Sequence, residues 1–244
     1  MLFKALTPVS AFFFIHLRMK KLLFLIFVPS LVWAQNISID PRSITNANIE
    51  LKRAVMANRN IKGSPYLDDE FSTTTLEFKE GKQFEGAMRY NMYKDLFELK
   101  SAIDDVIYEL KLTDGMKATH LGRNFSAHYL RSENKVATFE VLVDPSPYGL
   151  YLFHRKTVQN NENQGIAFPS SNQANNQDAS WKDESFMVLI NGNEVFQLSK
   201  SQKKLLDSGI VDKELYMRVT KKNKYKLTKT EDVTSLVLEL NKNL

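Results

Sequence analysis

Residues 71–100 read FSTTTLEFKEGKQFEGAMRYNMYKDLFELK, and the prediction of the fold starts from them. Leu76 and Phe78 alternate with charged neighbours, which is the period-2 pattern of a half-buried strand. Gly81 gives the chain a place to turn back, because glycine adopts a positive φ without steric cost. After this turn, apolar residues again recur at every second position as far as Met92. The stretch therefore predicts two or three antiparallel strands.

Three polar residues alternate with the apolar positions of the second strand. A continuous strand would place Arg89, Asn91 and Tyr93 on one face of the sheet. A guanidinium, an amide and a phenol in a row can bind a carboxylate, a sugar or a partner's backbone. They can also pair with neighbouring strands of the same protein, because buried polar groups need partners. Both alternatives stay open, and we favour the structural one.

The same local signals place the other elements of the chain. Apolar spacing of three and four predicts a short helix at residues 46–58. An Asp-Gly pair at 114–115 predicts a hairpin within residues 104–121, and an Asn-Gly pair predicts another within residues 185–198. Further strands are expected at residues 125–130, 136–143 and 150–158.

The last part of the chain changes to a helical period and predicts three short helices. Asp212 is placed to cap the second helix, and Thr228 with Glu231 has the spacing of a capping box for the third. The predicted fold class is α+β: a mainly antiparallel, barrel- or sandwich-like β-sheet with a short N-terminal helix and a C-terminal three-helix unit. The predicted parts are a signal peptide at 1–34, a helix and linker at 35–62, a β domain at 63–198 and a helical unit at 199–244.

Residues 19–34 have the pattern of an export signal. Two lysines precede a short apolar run, and the small residues Val32 and Ala34 precede a cleavage site at Gln35. The apolar run is shorter than the about 20 residues of a membrane span. We therefore predict an exported periplasmic or extracellular protein without a membrane span in its mature chain. Translation is expected to start at Met19, and an uncleaved N-terminal anchor is the alternative.

Composition excludes several classes of protein. The chain contains no cysteine, which excludes disulfides, a thiolate metal site, a cysteine nucleophile and a lipoprotein anchor. The formal net charge is +5, but residues 1–34 hold four of the 33 basic residues and none of the 28 acidic ones. Residues 35–244 therefore carry a net charge of only +1. This balance gives no electrostatic basis for a nucleic-acid partner.

Residues 159–180 differ in composition from the rest of the chain. Ten of the nineteen residues at 159–177 are Asn or Gln, so the segment has little apolar surface to bury. It predicts a long mobile loop. A lid or a partner-binding loop is the functional alternative, and a tolerated surface insertion is the one we favour.

No catalytic or metal-binding motif is present in the sequence. His120, His128 and His154 fall on separate predicted strands, so a shared metal site is disfavoured and no cofactor is expected. Carboxylates also occur in neighbouring pairs, at residues 68–70 and 104–105. Sequence neighbours on opposite faces of a strand do not by themselves form the two sides of a catalytic cleft. These acids are therefore predicted to be solvated turn charges.

Positive charge is concentrated at the C-terminal end. Residues 199–244 carry a net charge of +5, whereas residues 35–198 carry −4. Lys221, Lys222 and Lys224 lie in the link between the last two predicted helices and are candidates for binding an anionic surface component. Lysines that simply solvate a helix end are the alternative we favour, because cations near helix C-termini are stabilising.

Several short motifs occur in an order that resembles a known family. Residues 63–67 read GSPYL, residues 89–93 read RYNMY, residues 149–152 read GLYL, and a lysine-rich tail begins with SKSQKKLL at 199–206. Together these resemble an uncharacterised family of exported Bacteroidetes proteins across residues 61–244. The turn at 144–148 and the Asn- and Gln-rich loop depart from that family. The resemblance implies export and similar domain boundaries, and it implies no chemistry.

Two functional hypotheses follow. The first is a non-enzymatic binding or structural module of the cell envelope, whose partner is an unknown envelope protein or an anionic surface component. The alternative is a hydrolase whose site assembles only in three dimensions. A deep pocket with converging His, Asp or Glu side chains would favour the hydrolase. A shallow polar surface would favour the module.

Overall fold

The computed structural model describes residues 51–54, 61–159, 179–192, 194–221 and 223–244. The strands are β1 (Lys52–Arg53), β2 (Ile61–Lys62), β3 (Ser72–Glu77), β4 (Gln83–Asn91), β5 (Leu96–Lys100), β6 (Ile107–Leu110), β7 (Lys117–His120), β8 (Arg123–Leu130), β9 (Lys135–Val143), β10 (Tyr148–Phe153), β11 (Lys156–Gln159), β12 (Ala179–Asp183), β13 (Phe186–Asn191) and β14 (Glu194–Gln197). The helices are α1 (Gln202–Asp207), α2 (Lys213–Thr220) and α3 (Thr230–Lys242).

Within the described residues, eleven strands form one antiparallel sheet in the order β1-β6-β5-β4-β3-β7-β8-β9-β10-β13-β14. The predicted antiparallel β-sheet with C-terminal helices is confirmed. β1 and β14 are the two edges of the sheet, so it is not closed and the barrel alternative is wrong. A second sheet of three strands has the order β11-β12-β2.

The predicted hairpin at the start of the sheet is confirmed. β3 and β4 pair in antiparallel register, with Leu76 opposite Phe84, and Gly81 turns the chain with a φ of +76°. Alternate residues of these strands point to one side. There they join a core that includes the fully buried Tyr90 and Phe97.

The hairpin predicted around the Asp-Gly pair is wrong. β6 pairs with β5 and β1, whereas β7 pairs with β3 and β8. Gly115 does turn the chain, with a φ of +82°, but the residues on both sides of the turn are held in the core. Leu112 is 1 % exposed and Met116 is 4 % exposed. Burying both ends of the turn directs the chain across the core to β3 instead of back along β6.

Two other predictions about the first half of the chain are not confirmed. Most of the helix predicted at residues 46–58 lies outside the described residues, and the described part contains the extended β1 instead. β4 ends at Asn91, so Tyr93 lies in a turn and the prediction that it shares a sheet face with Arg89 is wrong. The loop predicted at 159–180 lies outside the described residues except at its ends, which belong to the paired strands β11 and β12.

The helices pack against the sheet through a shared core. Leu150 of β10 and Leu189 of β13 join buried residues from all three helices. Asp212 caps α2 as predicted, by accepting a hydrogen bond from the backbone N–H of Leu215 at 2.7 Å. The predicted capping box of α3 is wrong, because the N-cap is Lys229 and no side chain caps it.

Near its end, α3 is also joined to β10 by a single side chain. The amide of Asn241 donates to the carbonyl oxygen of Tyr148 at 2.8 Å, and its oxygen accepts from the Tyr148 backbone N–H at 3.0 Å. Across the described ranges, the helices are too short or too polar to cross a membrane.

Candidate functional site

Arg89 lies on β4, directly opposite Glu98 on β5. Its Nε and Nη2 atoms donate to Glu98 Oε2 at 3.0 and 2.8 Å. Nη2 also donates to the Tyr66 hydroxyl at 2.7 Å, and Nη1 donates to the carbonyl oxygen of Asp69 at 3.2 Å. All three nitrogens of the guanidinium are therefore engaged by groups of the protein itself.

Asn91 extends the same network. Its Nδ2 donates to Glu98 Oε1 at 2.9 Å, and its Oδ1 accepts from the backbone N–H groups of Tyr93 and Lys94 at 3.2 and 3.0 Å. The pKa of Tyr66 is raised to about 12, mainly by burial and next by the negative charge of Glu98. The phenol therefore stays protonated. The geometry supports the structural alternative for Arg89 and Asn91, which tie β4 and β5 to the segment before β3.

The remaining candidate residues lie elsewhere. The side chain of Tyr93 is 50 % exposed and packs against Trp181, with 4.9 Å between the ring centroids. Lys221 is the exposed C-cap of α2, and Lys224 is exposed in the link to α3. Lys222 lies outside the described residues. Tyr93 joins the Arg89 network only through its backbone N–H, and neither Tyr93, Lys221 nor Lys224 lines the cleft described below.

The three histidines occupy different environments. His120 is fully buried on the core face, with Nδ1 2.7 Å from Thr74 Oγ1. His154 is also buried, and its Nε2 lies 2.6 Å from Glu140 Oε2. His128 faces the other side of the sheet. Within the described ranges, no three His, Asp or Glu side chains are placed to hold a metal ion.

A buried carboxyl group, not singled out by the sequence, joins the turn after β4 to β9. Asp95 is 6 % exposed, and its Oδ1 accepts hydrogen bonds from the Tyr90 hydroxyl at 2.8 Å and from the Thr138 backbone N–H at 3.1 Å. Burial raises the pKa of Asp95. The folded protein therefore favours the protonated form of this group more than the unfolded chain does.

Acidification is expected to destabilise the protein through His120. Burial lowers the pKa of this imidazole in the folded protein below its value of about 6.5 in the unfolded chain. The contribution of His120 to stability is therefore complete above about pH 6.5 and is lost as the pH falls through the pKa of the folded state. In urea titrations between about pH 7.5 and about pH 5.5, His120→Gln should lose less stability with falling pH than the unaltered protein. The raised pKa of Asp95 makes the unfolding free energy change with pH in the opposite direction, and it does so equally in both proteins. The difference between their slopes of unfolding free energy against pH therefore reports on His120. Equal slopes would contradict the prediction.

A cleft of about 490 Å³ lies on the sheet face opposite the core that contains Tyr90 and Phe97. Thr75, Thr119 and Asn124 stand side by side on β3, β7 and β8 and form one row of its lining. Glu77, Lys117 and Ser126 form the next row across the same strands. The turn between β9 and β10 closes one end of the cleft. The volume falls within the range of about 300–1,000 Å³ that is usual for small-molecule sites.

Ser126 and His128 form a hydrogen-bonded pair in this cleft. They are two residues apart on β8, with Ser126 Oγ 2.9 Å from His128 Nε2. The His128 ring lies edge-on to Tyr151, with 4.9 Å between the centroids. Burial lowers the pKa of His128, so its imidazole is neutral at pH 7. A serine hydroxyl bonded to a neutral imidazole is the arrangement of a nucleophile and its base.

Other polar groups of the cleft have no partner among the described residues. Glu77 and Lys117 are opposite each other on β3 and β7, but the described residues hold no ion pair for either of them. Thr119 Oγ1 donates to Asn124 Oδ1 at 3.1 Å, and no described group accepts from the Asn124 amide N–H groups. The cleft thus presents both donors and acceptors to whatever occupies it.

The sequence did not single out this set of residues, apart from His128. The only local signal was the alternation of polar and apolar residues along each strand. Comparison of the chain with protein families, curated proteins and solved structures finds no match in any of the three. The candidate site therefore rests on its geometry alone.

Proposed function

We propose that this protein is an exported module of the cell envelope that binds a polar ligand in the cleft over β3, β7 and β8. The observation that carries the proposal is the set of hydrogen-bonding groups that line the cleft and have no partner in the described part of the chain, including those of Glu77, Lys117 and Asn124. These residues lie on interior strands, each paired on both sides. Such positions are rigid, which reduces the entropy lost on binding.

The proposal is tested by filling the cleft. The side chain of Thr119 is exposed on the cleft face, so Thr119→Trp should block the ligand and leave the core intact. Small molecules extracted from cell envelopes should raise the melting temperature of the unaltered protein, because a ligand at about 100 times its Kd stabilises by about 2.7 kcal/mol. Thr119→Trp should show no such increase, whereas Thr113→Trp, on an exposed turn outside the cleft, should respond normally. An equal response of both variants would contradict the proposal.

A hydrolase is the second candidate, and the 2.9 Å contact between Ser126 and His128 is the observation that favours it. Against it, no described carboxylate is bonded to the imidazole to orient it. Catalytic triads rely on such a group to hold the correct tautomer. Consumption of the bound ligand in the extract experiment, lost in Ser126→Ala, would identify the hydrolase.

Export is proposed from the signal pattern at residues 19–34. The mature protein should begin at Gln35 and fractionate with the soluble or peripheral proteins of the envelope. N-terminal sequencing of protein recovered from its natural host checks this prediction. Recovery of a chain that retains residues 1–34 would support the uncleaved anchor instead.

We also propose that the chain belongs to the exported Bacteroidetes family that its short motifs resemble and that its sheet has a sandwich-like arrangement. The binding of an envelope protein or an anionic surface component by Lys221, Lys222 and Lys224 is likewise proposed.

A further inference from the structure

We infer that the ligand of the cleft is a neutral saccharide, an inference that rests on the proposed function. Among the described residues, the lining combines a free amide at Asn124, a free ammonium at Lys117 and a free carboxylate at Glu77. A sugar hydroxyl donates one hydrogen bond and accepts others, as serine and threonine hydroxyls do. A ligand with many hydroxyls therefore satisfies neighbouring donors and acceptors at the same time.

The net charge of the cleft disfavours negatively charged ligands. Of the fourteen lining residues described, seven are uncharged hydrogen-bonding residues, and the three charged ones are Glu77, Asp144 and Lys117. The net charge of the lining is thus −1, with His128 neutral at pH 7 because burial lowers its pKa. Phosphates, nucleotides and uronic acids would meet two carboxylates and a single ammonium. A neutral ligand has no such repulsion to overcome.

The backbone of the cleft floor disfavours an extended peptide. A peptide that joins a sheet does so at a free edge, where backbone N–H and C=O groups are unpaired. β3, β7 and β8 are interior strands, and each is paired on both sides. Recognition in the cleft therefore depends on side chains. The apolar residues Val141 and Pro145 at one end give the C–H face of a sugar ring a surface to contact.

Titration calorimetry of the purified protein tests the inference with cellotetraose, chitotetraose, maltotetraose and mannotetraose as probes. At least one is expected to bind, and Asn124→Ala should weaken that binding about tenfold, since the lost hydrogen bonds of one amide are worth roughly this factor. Asn223→Ala is the matched control, because Asn223 is an exposed amide in the link between α2 and α3. Its affinity should equal that of the unaltered protein.

The outcomes separate the two proposals. If no neutral saccharide binds but tetragalacturonate or a free amino acid does, and Thr119→Trp blocks it, the saccharide inference is overturned and the proposed function stands. If none of these probes binds and envelope extract also leaves the melting temperature unchanged, both are overturned. Saccharide binding that is unaffected by Asn124→Ala and by Thr119→Trp would place the sugar elsewhere and overturn the inference for this cleft.

Discussion

The unfolding free energy of Arg89→Ala should be about 3–5 kcal/mol lower than that of the unaltered protein, because removing one partner of a buried ion pair leaves the other charge unpaired. Glu98 is only 3 % exposed and receives two of its hydrogen bonds from Arg89. The Tyr66 hydroxyl and the Asp69 carbonyl would each lose a donor as well. Urea denaturation followed by circular dichroism measures the change.

The matched control is Lys100→Ala, on the neighbouring part of β5. Lys100 pairs with Asp105 at 3.0 Å, but the two side chains are 48 % and 82 % exposed. Exposed pairs contribute about 0–1 kcal/mol, so this variant should be close to the unaltered protein. Adding Glu98→Gln to Arg89→Ala should recover part of the loss, because it removes the unpaired charge. A loss for Arg89→Ala as small as that for Lys100→Ala would show that Arg89 does not stabilise the sheet.

Phe97→Ala should also cost about 3–5 kcal/mol, the range for removing a large aromatic side chain from a packed core. Phe97 is fully buried, and its ring centroid lies 5.0 Å from that of Tyr90 and 5.6 Å from that of Phe125. The substitution therefore removes ring contacts with β4 and β8 together and leaves a cavity between them. Urea denaturation again gives the free energy.

Ile103→Ala is the control for this second prediction. Ile103 is apolar as well, but it is 65 % exposed in the turn after β5. Surface substitutions of this kind usually change stability by no more than about 0.5 kcal/mol. If Phe97→Ala were tolerated equally well, the core around Tyr90 and Phe125 would have to be loosely packed.

The parts of the fold predicted correctly are those whose contacts are local in the sequence. The β3–β4 hairpin and the β13–β14 hairpin each join two alternating runs through a short turn, and both pair as expected. The Asp-Gly turn has the same local pattern, yet β7 pairs with β3 and not with β6. The difference arises from the burial of Leu112 and Met116 in the core, which the local pattern does not contain.

The candidate site could not be predicted from the sequence, for the same physical reason. Its rows exist only because β7 inserts between β3 and β8, and this brings Glu77 beside Lys117 over a separation of forty residues. Arg89, Asn91 and Tyr93 are prominent in the sequence because they alternate with apolar residues. Two of them are used to hold strands together, and the third lies in a turn.

The bond between Asn241 and Tyr148 has a consequence for the order of synthesis and folding. One amide near the end of α3 satisfies both the N–H and the C=O of the first residue of β10. A nascent chain that has not yet emerged as far as Asn241 leaves both groups without this partner, and unpaired backbone groups are costly to bury. The first residue of β10 therefore acquires these two hydrogen bonds only after a residue 93 positions further along the chain has been synthesised. The hydrogen bonding at the start of β10 is in this way coupled to the formation of α3.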